Sequence, residues 1–546
     1  MPLTHIGPFT YQRYAPRMPA GLAGRDEPGR HPVLIAGGGP VGMAVALGLA
    51  RRGVGSVVIE ADDSVCEGSR AACISRRSLE ILDRLGVVAR FMEKGLAWTR
   101  GRSFYGDREV FRFDMPTGEA DKFPPMINLQ QYYIEQYLLD EIAAVNRKRP
   151  GTIDFRWQSR ITAVRQEADG VAVTVSNPLG DYDARADWLV ACDGGQSFVR
   201  NSLGLELKGV GYQGRYAIVD IELPSKSPTE RRAWFDPPWA RGTTILMHRQ
   251  PDDIWRVDYQ LAAGQDAAQV MEPAQIRAFV QNHLDAIGEG HLPWTPVWTS
   301  IYRAGAMTLD SYRHGSILFA GNSAHAMPIF GVRGLNSGFD DADNLAWKLA
   351  ARIRGQAGDA LLDSYSQERI EAFHVNAASA MRSTEFMSPP HRGFELMREA
   401  ALSLAGAHPG IARLINPRQT HAIHYQSSAL SAASDAFEAG PPPGAPLDDA
   451  PVRDGVFVTD LLAGDAFTLL CFGPEPMALA RDAGAVPCRA VAAPASSPAA
   501  RAYGATEGTA YLVRPDGHVC ARWRRADAAR VQAAIAQACQ IQRSPS

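Results

Sequence analysis

The sequence predicts an α/β protein: a dinucleotide-binding domain with an inserted antiparallel sheet, then a helical region and a small C-terminal α/β domain. Three observations predict this fold. Short apolar runs typical of buried strands lead into glycine-containing loops near residues 37, 193 and 321. Residues 205–303 instead contain strand-like runs and many aromatic side chains. A proline-rich stretch, 439–446, precedes a last segment with strand and helix patterns of its own.

The composition is that of an ordinary soluble globular enzyme. The chain has 546 residues, 46% apolar and 21% charged, and this length suggests roughly two to four domains. The net charge of −3 gives no reason to expect nucleic acid or an anionic membrane as a partner. No apolar run approaches the ~18 residues that span a bilayer. The amino-terminal segment, 1–30, reads as an irregular arm without the apolar core of a secretory signal.

Cysteine usage predicts a compartment. The seven cysteines are scattered, form no C-x-x-C pair and form no cluster with metal-ligand spacing. We therefore expect reduced thiols, no metal site and a cytoplasmic location.

The most informative motif follows the apolar run 33–36. Gly37, Gly39 and Gly42 have G-x-G-x-x-G spacing, with Pro40 inside the motif, and an apolar helix pattern comes next. In a Rossmann-like unit these glycines make the tight turn, let the backbone approach a pyrophosphate and let the helix pack on the strand. The N-terminus of the helix then offers free N–H groups to the phosphates.

An acidic residue completes this unit. A second apolar run, 56–59, ends in Glu60, 23 residues after Gly37. A carboxylate at this place can accept hydrogen bonds from the ribose hydroxyls of an adenosine. The motif alone leaves FAD and NAD open, and an ordinary glycine turn is the alternative to both.

Two helices are predicted next, a short amphipathic one over 79–85 and a second over 127–139. Arg70, Arg76 and Arg77 lie just before or at the start of the first. Because cations are not favoured at a helix N-terminus, we expect at least one of them to bind an anionic ligand. A salt-bridged surface arginine is the alternative for each.

A second motif has the same arrangement as the first, an apolar strand pattern followed by a loop of small residues. Strand patterns cover 153–157, 161–164, 171–175 and 187–192. The last of these runs leads into Asp193-Gly194-Gly195, so a strand end again opens a loop with small residues and an acid. We expect this acid to lie beside a ligand.

The inserted region contains a predicted β-hairpin. Runs 243–250 and 254–261 flank Pro251-Asp252-Asp253. Trp255 and Tyr259 share one face of the second strand. This aromatic face could form the wall of an aromatic-substrate site, and an aromatic core face is the alternative.

A third strand, 316–320, feeds a glycine-rich loop and then a helix, which places more backbone N–H groups near the same ligand. His325 in this loop could act as a base, but we interpret it as a structural histidine that braces the loop. The pattern stays helical to about residue 415, and 447–546 reads as a small α/β unit.

Three motifs in this order carry a resemblance: the 37–42 glycines, the stretch from Asp193 to Arg200, and the loop from Gly321 to Asn336. Together they resemble the single-component FAD-dependent aromatic hydroxylases, the family of p-hydroxybenzoate hydroxylase and 3-(3-hydroxyphenyl)propionate hydroxylase. The last segment, with its Arg514-Pro-Asp-Gly517 turn, resembles the thioredoxin-like domain of the phenol hydroxylase branch, but without C-x-x-C.

The resemblance implies a division of the chain and a set of FAD contacts. The predicted parts are an arm (1–30), the first part of the FAD domain (31–204), a β-sheet substrate domain (205–303), an FAD-binding loop with a helical region (304–415), a linker (416–446) and a thioredoxin-like domain (447–546). The residues it assigns to FAD are Gly37, Gly39, Pro40 and Gly42 in the first loop, Glu60 at the adenosine ribose, Arg70 and Gln131 at the phosphates or ribityl chain, Asp193 in the FAD site, Asn322 at the ribityl chain, and Gly334, Leu335 and Asn336 along the flavin ring.

The sequence departs from the family pattern at two positions. Asn322 stands where the family usually has aspartate, and Ile329 stands where it usually has proline beside the flavin ring. Asparagine still forms hydrogen bonds with a hydroxyl but carries no charge. These departures affect the expected geometry of the substrate site.

The resemblance implies hydroxylation of a phenolic ring with NAD(P)H and O2 through a flavin C4a-hydroperoxide. A phenolate reacts better than a phenol with this electrophile, so we expect a general base or a hydrogen-bond relay. His248, Arg249 and Tyr259 on the predicted hairpin are the candidate catalytic residues. The chain has no second dinucleotide fold, which implies that NAD(P)H binds transiently in a groove.

The alternative is a non-catalytic or sensory FAD protein whose loop has decayed at Asn322 and Ile329. A flavin halogenase is disfavoured because its motif is missing. The sequence leaves open the substrate, NADH versus NADPH, and the oligomeric state, a homodimer included.

Overall fold

The helices and strands come from a computed structural model that describes residues 5–6, 9–118, 121–262, 264–415, 419–473, 479 and 486–540. The helices in this part of the chain are α1 (Pro40–Arg51), α2 (Arg76–Arg84), α3 (Val88–Lys94), α4 (Gln131–Lys148), α5 (Phe198–Ser202), α6 (Ala267–Val270), α7 (Pro273–Ala286), α8 (Arg333–Ile353), α9 (Ala360–Met387), α10 (Arg392–Ala405), α11 (Pro409–Ala412), α12 (Pro498–Ala502) and α13 (Ala528–Ala538). None of them is long and apolar enough to cross a membrane.

The strands before the inserted region are β1 (His5–Ile6), β2 (Phe9–Thr10), β3 (His31–Ala36), β4 (Ser56–Ile59), β5 (Cys73–Ser75), β6 (Leu96–Ala97), β7 (Arg100–Tyr105), β8 (Arg108–Asp114), β9 (Met126–Asn128), β10 (Ile153–Arg156), β11 (Arg160–Glu167), β12 (Gly170–Asn177) and β13 (Gly180–Ala191). The later strands are β14 (Lys208–Glu222), β15 (Arg231–Phe235), β16 (Thr244–Arg249), β17 (Ile254–Gln260), β18 (Thr295–Thr308), β19 (Arg313–His314), β20 (Ile317–Phe319), β21 (His325–Ala326), β22 (Pro451–Arg453), β23 (Val456–Phe457), β24 (Phe467–Phe472), β25 (Cys488–Ala493), β26 (Ala510–Val513) and β27 (Val519–Trp523).

The first sheet has the strand order β10-β4-β3-β13-β12-β11, with β20 paired to the other edge of β13. Strands β10, β4, β3, β13 and β20 run parallel, so their carboxyl ends lie at one edge of the sheet. Helix α1 packs against α8, and a Cβ built on Gly48 would lie 2.7 Å from the Cβ of Ala346. The predicted strand–turn–helix–strand unit is confirmed.

The second sheet has the order β21-β18-β14-β17-β16-β15-β7-β8. Its β16–β17 hairpin is the predicted one, and Asp252 and Asp253 make the turn with φ of 64° and 53°. The predicted boundaries of this domain were wrong. Strands β7 and β8 belong to the sheet through the β15–β7 pairing although they come before residue 205, and β18 runs on to Thr308.

The two faces of the second sheet have different environments. Trp255, Val257 and Tyr259 form an apolar core with side chains of α7, among them Val280 and Leu284. The aromatic face of the hairpin is therefore a core face covered by a helix, which confirms this alternative over a substrate-site wall. The opposite face lies toward the first domain.

The predicted helix over 127–139 begins later than expected. Residues 126–128 form β9, which pairs with β5 and β6, and α4 starts at Gln131. The side chain of Asn128 explains the difference, because it accepts a hydrogen bond from Trp98 Nε1 (2.8 Å) and donates one to the Arg249 carbonyl (2.6 Å). These contacts between distant residues replace the first helical turn.

The C-terminal domain contains a four-stranded sheet in the order β25-β24-β26-β27, with α13 packed on it. The proline-rich segment before it is not a free linker. Arg522 donates hydrogen bonds to the carbonyls of Ala439, Gly440 and Pro441, at 3.1, 2.8 and 3.2 Å. Residues 1–4, 7–8 and 416–418 of the predicted arm and linker lie outside the described residues.

Buried His283 in α7 predicts a pH dependence of stability. Burial, and then Arg232, lower its pKa to about 3. The folded state therefore keeps His283 neutral, while the unfolded chain binds a proton near pH 6.5. This contribution to stability is present above about pH 6.5 and is lost as the pH falls below it.

We expect His283→Gln to weaken the pH dependence of Tm, because glutamine can still accept the hydrogen bond that Trp239 Nε1 donates at 3.2 Å. The difference should amount to about 1.4 kcal/mol between about pH 7.5 and about pH 5.5. The exposed His291 supplies the control variant His291→Gln. Parallel Tm curves for the wild type and His283→Gln would contradict the prediction.

Candidate functional site

The first glycine loop is open to a ligand at one position, Gly39. Gly37 has φ of 96°, and a Cβ on Gly42 would lie 2.0 Å from the Gly37 carbonyl oxygen, so strand β3 and helix α1 touch there. A Cβ on Gly39 would meet nothing within 4 Å. Gly39 is the N-cap of α1 and Pro40 begins the helix, so the N-terminus of α1 faces this free space.

Glu60 lies at the end of β4, beside this loop. Its carboxylate accepts hydrogen bonds from the backbone N–H of Gly38 (2.6 Å) and of Asp62 (2.8 Å). Burial raises the pKa of Glu60, and these two bonds oppose that rise. Each carboxylate oxygen keeps a further lone pair for ribose hydroxyls.

Asp193 follows β13 at the same edge of the sheet. Its Oδ2 accepts a hydrogen bond from the Val199 N–H (3.0 Å), while Oδ1 is buried without a partner among the described residues. Burial raises the pKa of Asp193. An orphaned buried acceptor costs free energy unless a ligand donates to it, so this site fits a hydroxyl-bearing cofactor.

The three arginines near α2 differ in whether they form ion pairs with other residues of the protein. Arg76 forms an ion pair with Asp121 (2.8 Å) and Arg77 forms one with Asp340 (3.4 Å). Both positive charges are therefore paired within the protein. Arg70 is exposed and makes no ion pair or side-chain hydrogen bond with any described residue. Of the three, Arg70 is the one left free for an anionic ligand.

The side chain of Gln131 forms hydrogen bonds with other residues of the protein. Its Oε1 accepts a hydrogen bond from the Ala71 N–H (3.2 Å) and its Nε2 donates one to Glu135 (2.8 Å). The side chain therefore holds the loop that carries Arg70.

Asp341 of α8 holds the third loop. Its carboxylate accepts hydrogen bonds from the Gly321 N–H (2.9 Å), from His325 Nε2 (2.7 Å) and from Arg369 Nε of α9 (2.6 Å). Burial favours the neutral acid, but Arg369 and His325 outweigh it and lower the pKa of Asp341. This contact agrees with the interpretation of His325 as a structural residue. Asn322 is exposed in the same loop and faces solvent.

The side-chain amide of Asn336 makes all of its possible hydrogen bonds with groups of the protein. Oδ1 accepts from the Ser75 N–H (2.9 Å) and Ser78 Oγ (2.7 Å), and Nδ2 donates to the carbonyls of Cys73 (3.1 Å) and Val332 (2.6 Å). A primary amide has no further hydrogen-bonding capacity. Asn336 thus fixes the loop, and the open sides of Gly334 and Leu335 remain for a flat ligand.

The start of α8 is strained. Val332, its N-cap, has φ of 54° and ψ of 41°, the left-handed region that a β-branched residue rarely occupies. Phe330, just before it, packs edge-on against Tyr216 of the second sheet, with ring centroids 5.2 Å apart. Ile329 and Phe330 belong to one apolar cluster with Leu246 and Phe235 of that sheet. The loop therefore lies against the sheet face opposite to the one that α7 covers.

That sheet face carries a cluster of ionisable groups, the buried Arg231, Arg256 and Asp258 and the half-buried His248, which we call the sheet-face cluster. Arg256 pairs with Asp220 at 2.8 Å. His248 Nε2 lies 4.0 Å from Asp258 Oδ2, too far for a hydrogen bond, and Asp258 Oδ1 is buried without a partner among the described residues.

Arg231 is the unusual member of this cluster. It is 7% exposed, yet its side chain forms no hydrogen bond and no ion pair with the described residues. Burial lowers its pKa. Asp258 opposes this effect from a distance but forms no ion pair with Arg231. A buried guanidinium without a contacting anion is costly, so this position fits a negatively charged ligand group.

The three candidate catalytic residues do not lie together. Tyr259 points into the α7 core and stacks on Phe279, with ring centroids 3.7 Å apart. Arg249 binds Asp253 (2.8 Å) beside the same core. Only His248 lies on the face toward the loop, so placing the other two in the site was wrong.

The sequence analysis missed Arg231 and Asp258 as site residues. Strand β15 was not predicted, because its Arg-Arg-Ala-Trp-Phe pattern alternates only in part. Two adjacent arginines entering a buried strand were the available signal, since an arginine is rarely buried without a purpose.

The fold and these loops define a dinucleotide-binding flavoprotein, and comparison with known protein families specifies it. A family model described as "FAD binding domain" matches residues 30–379, and one described as "Aromatic-ring hydroxylase, C-terminal" matches residues 440–540. The first match covers more than half of the chain. The chain therefore belongs to the FAD-dependent aromatic hydroxylases, a family of flavoprotein monooxygenases, and FAD is its cofactor.

Relatives and solved structures agree with this family. A 3-(3-hydroxy-phenyl)propionate/3-hydroxycinnamic acid hydroxylase of Mycolicibacterium smegmatis is 27% identical over 472 residues, 84% of this chain and 80% of the relative. A flavin-dependent monooxygenase of Mycobacteroides abscessus is 28% identical over 502 residues, 89% of this chain and 96% of the relative.

Among solved structures, the flavin-dependent monooxygenase PieE with FAD and substrate has a TM-score of 0.79 at 23% identity, with coverage of 94% of this chain and 99% of PieE. Aklavinone-11 hydroxylase with FAD and aklavinone has a TM-score of 0.75 at 24% identity, with coverage of 94% and 100%. At this identity the two structures show a shared fold.

The loop geometry predicts opposite effects for two glycines. Gly39→Ala should leave the apoprotein stable, because its φ of −70° suits alanine and its Cβ meets nothing, but it should weaken FAD binding about tenfold or more. Gly42→Ala should destabilise the protein by about 1–3 kcal/mol. FAD titration and thermal unfolding measure both.

Gly410→Ala is the control, since its Cβ also meets nothing and it lies in α11. FAD affinity in Gly39→Ala equal to that of this control would contradict the placement of the phosphates.

Proposed function

We propose that the protein hydroxylates a phenolic ring that carries an anionic group, with NAD(P)H and O2 as co-substrates. The observation that carries this proposal is the buried, unpartnered Arg231 on the same sheet face as His248. FAD would supply the redox chemistry, which is hydride acceptance from NAD(P)H and activation of O2, and the residues of this chain would hold FAD and position the ring.

The cofactor would be held along the three loops. The N-terminus of α1 and Arg70 would bind the phosphates, and Glu60 would bind the adenosine ribose. Asp193 would accept a hydrogen bond from a cofactor hydroxyl through its orphaned Oδ1, and the exposed Asn322 would meet the ribityl chain. The amide of Asn322 suffices for that hydrogen bond, so its departure from aspartate does not oppose FAD binding.

The substrate would lie between the 329–332 loop and the sheet-face cluster. Arg231 would bind the anionic group, and the apolar side chains of Ile329, Phe330 and Leu246 would enclose the ring and exclude water. The names of relatives support this substrate class, since a hydroxyphenylpropionate is a phenol with a carboxylate.

His248 would accept the proton or hydrogen bond of the phenol hydroxyl. Burial, then Arg231 and Arg256, lower its pKa to about 3, so the free protein holds it neutral. A substrate anion on Arg231 cancels part of that positive field and raises the basicity of His248. Binding of the correct substrate would therefore prepare the base.

The first test is an assay with NADH or NADPH and a panel of phenols, comparing cofactor oxidation with hydroxylated product. His248→Gln should lower kcat for hydroxylation about 100-fold, and the two electrons from NAD(P)H should then reduce O2 to hydrogen peroxide instead. Tyr259→Phe and Arg249→Gln are matched controls on the α7 face, and we expect near wild-type rates from both. Equal losses in all three variants would contradict the assignment of the base.

The second test addresses the anionic group. Arg231→Gln should raise KM for a phenol with a carboxylate about 100-fold, and should change KM for the matching neutral phenol by much less. Steady-state kinetics on the two substrates gives this ratio. An equal effect on both substrates would contradict the role of Arg231.

The non-catalytic alternative makes a different prediction. If the loop has decayed, the wild type consumes NAD(P)H only to make peroxide with every phenol, and Asn322→Asp with Ile329→Pro restores hydroxylation. The observation behind this alternative is that Ile329, which replaces the usual proline, belongs to the apolar cluster with Leu246 and Phe235 of the second sheet.

A further inference from the structure

The Arg514-Pro515-Asp516-Gly517 turn of the C-terminal domain is buried against the FAD-binding domain. Arg514 is 2% exposed and Asp516 is 1% exposed. Such complete burial of two charged residues in a turn is unusual, because exposed turns normally leave their polar groups in water. Both side chains form hydrogen bonds with residues of the FAD-binding domain.

Arg514 binds a carboxylate of the other domain. Its two terminal nitrogens donate to Glu368 of α9 at 2.6 and 3.0 Å, a bidentate contact, and Lys348 of α8 donates to the same carboxylate at 2.7 Å. Burial favours the neutral acid, but Arg514 and Lys348 outweigh it and lower the pKa of Glu368. The turn thereby connects α8 with α9.

Asp516 makes the second set of contacts. Its carboxylate accepts hydrogen bonds from Trp347 Nε1 (3.0 Å) and Asn344 Nδ2 (3.3 Å), both on α8. Its backbone carbonyl accepts from Arg77 of α2 (2.7 Å). One residue of the C-terminal domain therefore touches both α2 and α8.

Helices α2 and α8 also meet each other along their length. Arg77 binds Asp340 (3.4 Å) and Arg84 binds Asp343 (2.5 Å). At the N-terminal end of both helices, Asn336 bonds to Ser75, the N-cap of α2. The spacing of α2 and α8 thus determines where Asn336 and the loop before it lie.

Arg77 connects the 514–517 turn to the N-terminal end of α2. It lies in the first turn of α2, where a cation opposes the helix dipole. The Asp516 carbonyl and the acids of α8 offset this charge. Without the C-terminal turn, Arg77 would lose its shortest hydrogen bond, next to the residues that Asn336 holds.

We propose that the 514–517 turn is a positioning element for the flavin end of the cofactor site. By fixing α2 against α8, the C-terminal domain holds Asn336 and the 331–336 loop in the arrangement that receives the flavin ring. This inference rests on the proposed placement of the flavin ring beside Gly334 and Leu335. It gives this domain, which has no C-x-x-C pair, a task in the active site.

The test uses the full-length holoenzyme and two variants. Arg77→Lys keeps the charge but loses the shape that reaches the Asp516 carbonyl, and Asp516→Asn removes the carboxylate from the turn. We expect FAD affinity to fall about tenfold in each, with altered fine structure of the flavin visible spectrum. Amide hydrogen exchange should rise at residues 73–78 and 331–340.

The matched control is Asp527→Asn. Asp527 caps α13 on the same domain through the Arg530 N–H (2.8 Å) and is not part of the turn. Since asparagine caps a helix about as well as aspartate, this variant should leave FAD affinity, the flavin spectrum and exchange at 331–340 unchanged. If Asp516→Asn does not fold, the milder Arg77→Lys decides the question.

Wild-type FAD affinity, spectrum and exchange at 331–340 in a folded Arg77→Lys variant would overturn the proposal. Failure of the proposed function has a different signature. In that case the wild type binds FAD with an ordinary spectrum but hydroxylates no phenol, while the two variants still change exchange at 331–340.

Discussion

The buried carboxylate of Asp341 is the interaction on which the cofactor site depends. It binds the Gly321 N–H, His325 and Arg369, and so joins the loop after β20 to α8 and α9. A charge this deeply buried is tolerated only with good partners, and here they come from two parts of the chain, the loop after β20 and helix α9. The loop that carries Asn322 is therefore held in place before any cofactor binds.

The sheet-face cluster is the opposite case. The charges around Asp341 and Asp516 are matched within the protein, whereas Arg231 has no partner among the described residues and His248 and Asp258 stand 4.0 Å apart. Unmatched groups opposite a strained loop residue, Val332, are the pattern of a site built for a ligand.

The sequence predicted the elements that depend on local spacing. The glycine turn before α1, the hairpin at Asp252 and the strand before Asp193 all follow from patterns within a dozen or so residues. It did not predict that β7 joins the inserted sheet, that Asn128 belongs to a strand, or that Tyr259 faces α7. Those facts depend on pairing between distant segments, and an alternating strand pattern does not tell which face meets the cofactor. The burial of Arg231 on that face was not predicted for the same reason.

The central claim is that the substrate ring lies between the 329–332 loop and the sheet face that carries His248 and Arg231. The most direct measurement is a crystal structure of the holoenzyme with the phenol that most strongly stimulates NAD(P)H oxidation. The account predicts the phenol oxygen within hydrogen-bonding distance of His248 and the anionic group on Arg231. A ring bound on the α7 face, or one that leaves Arg231 unpaired, would contradict it.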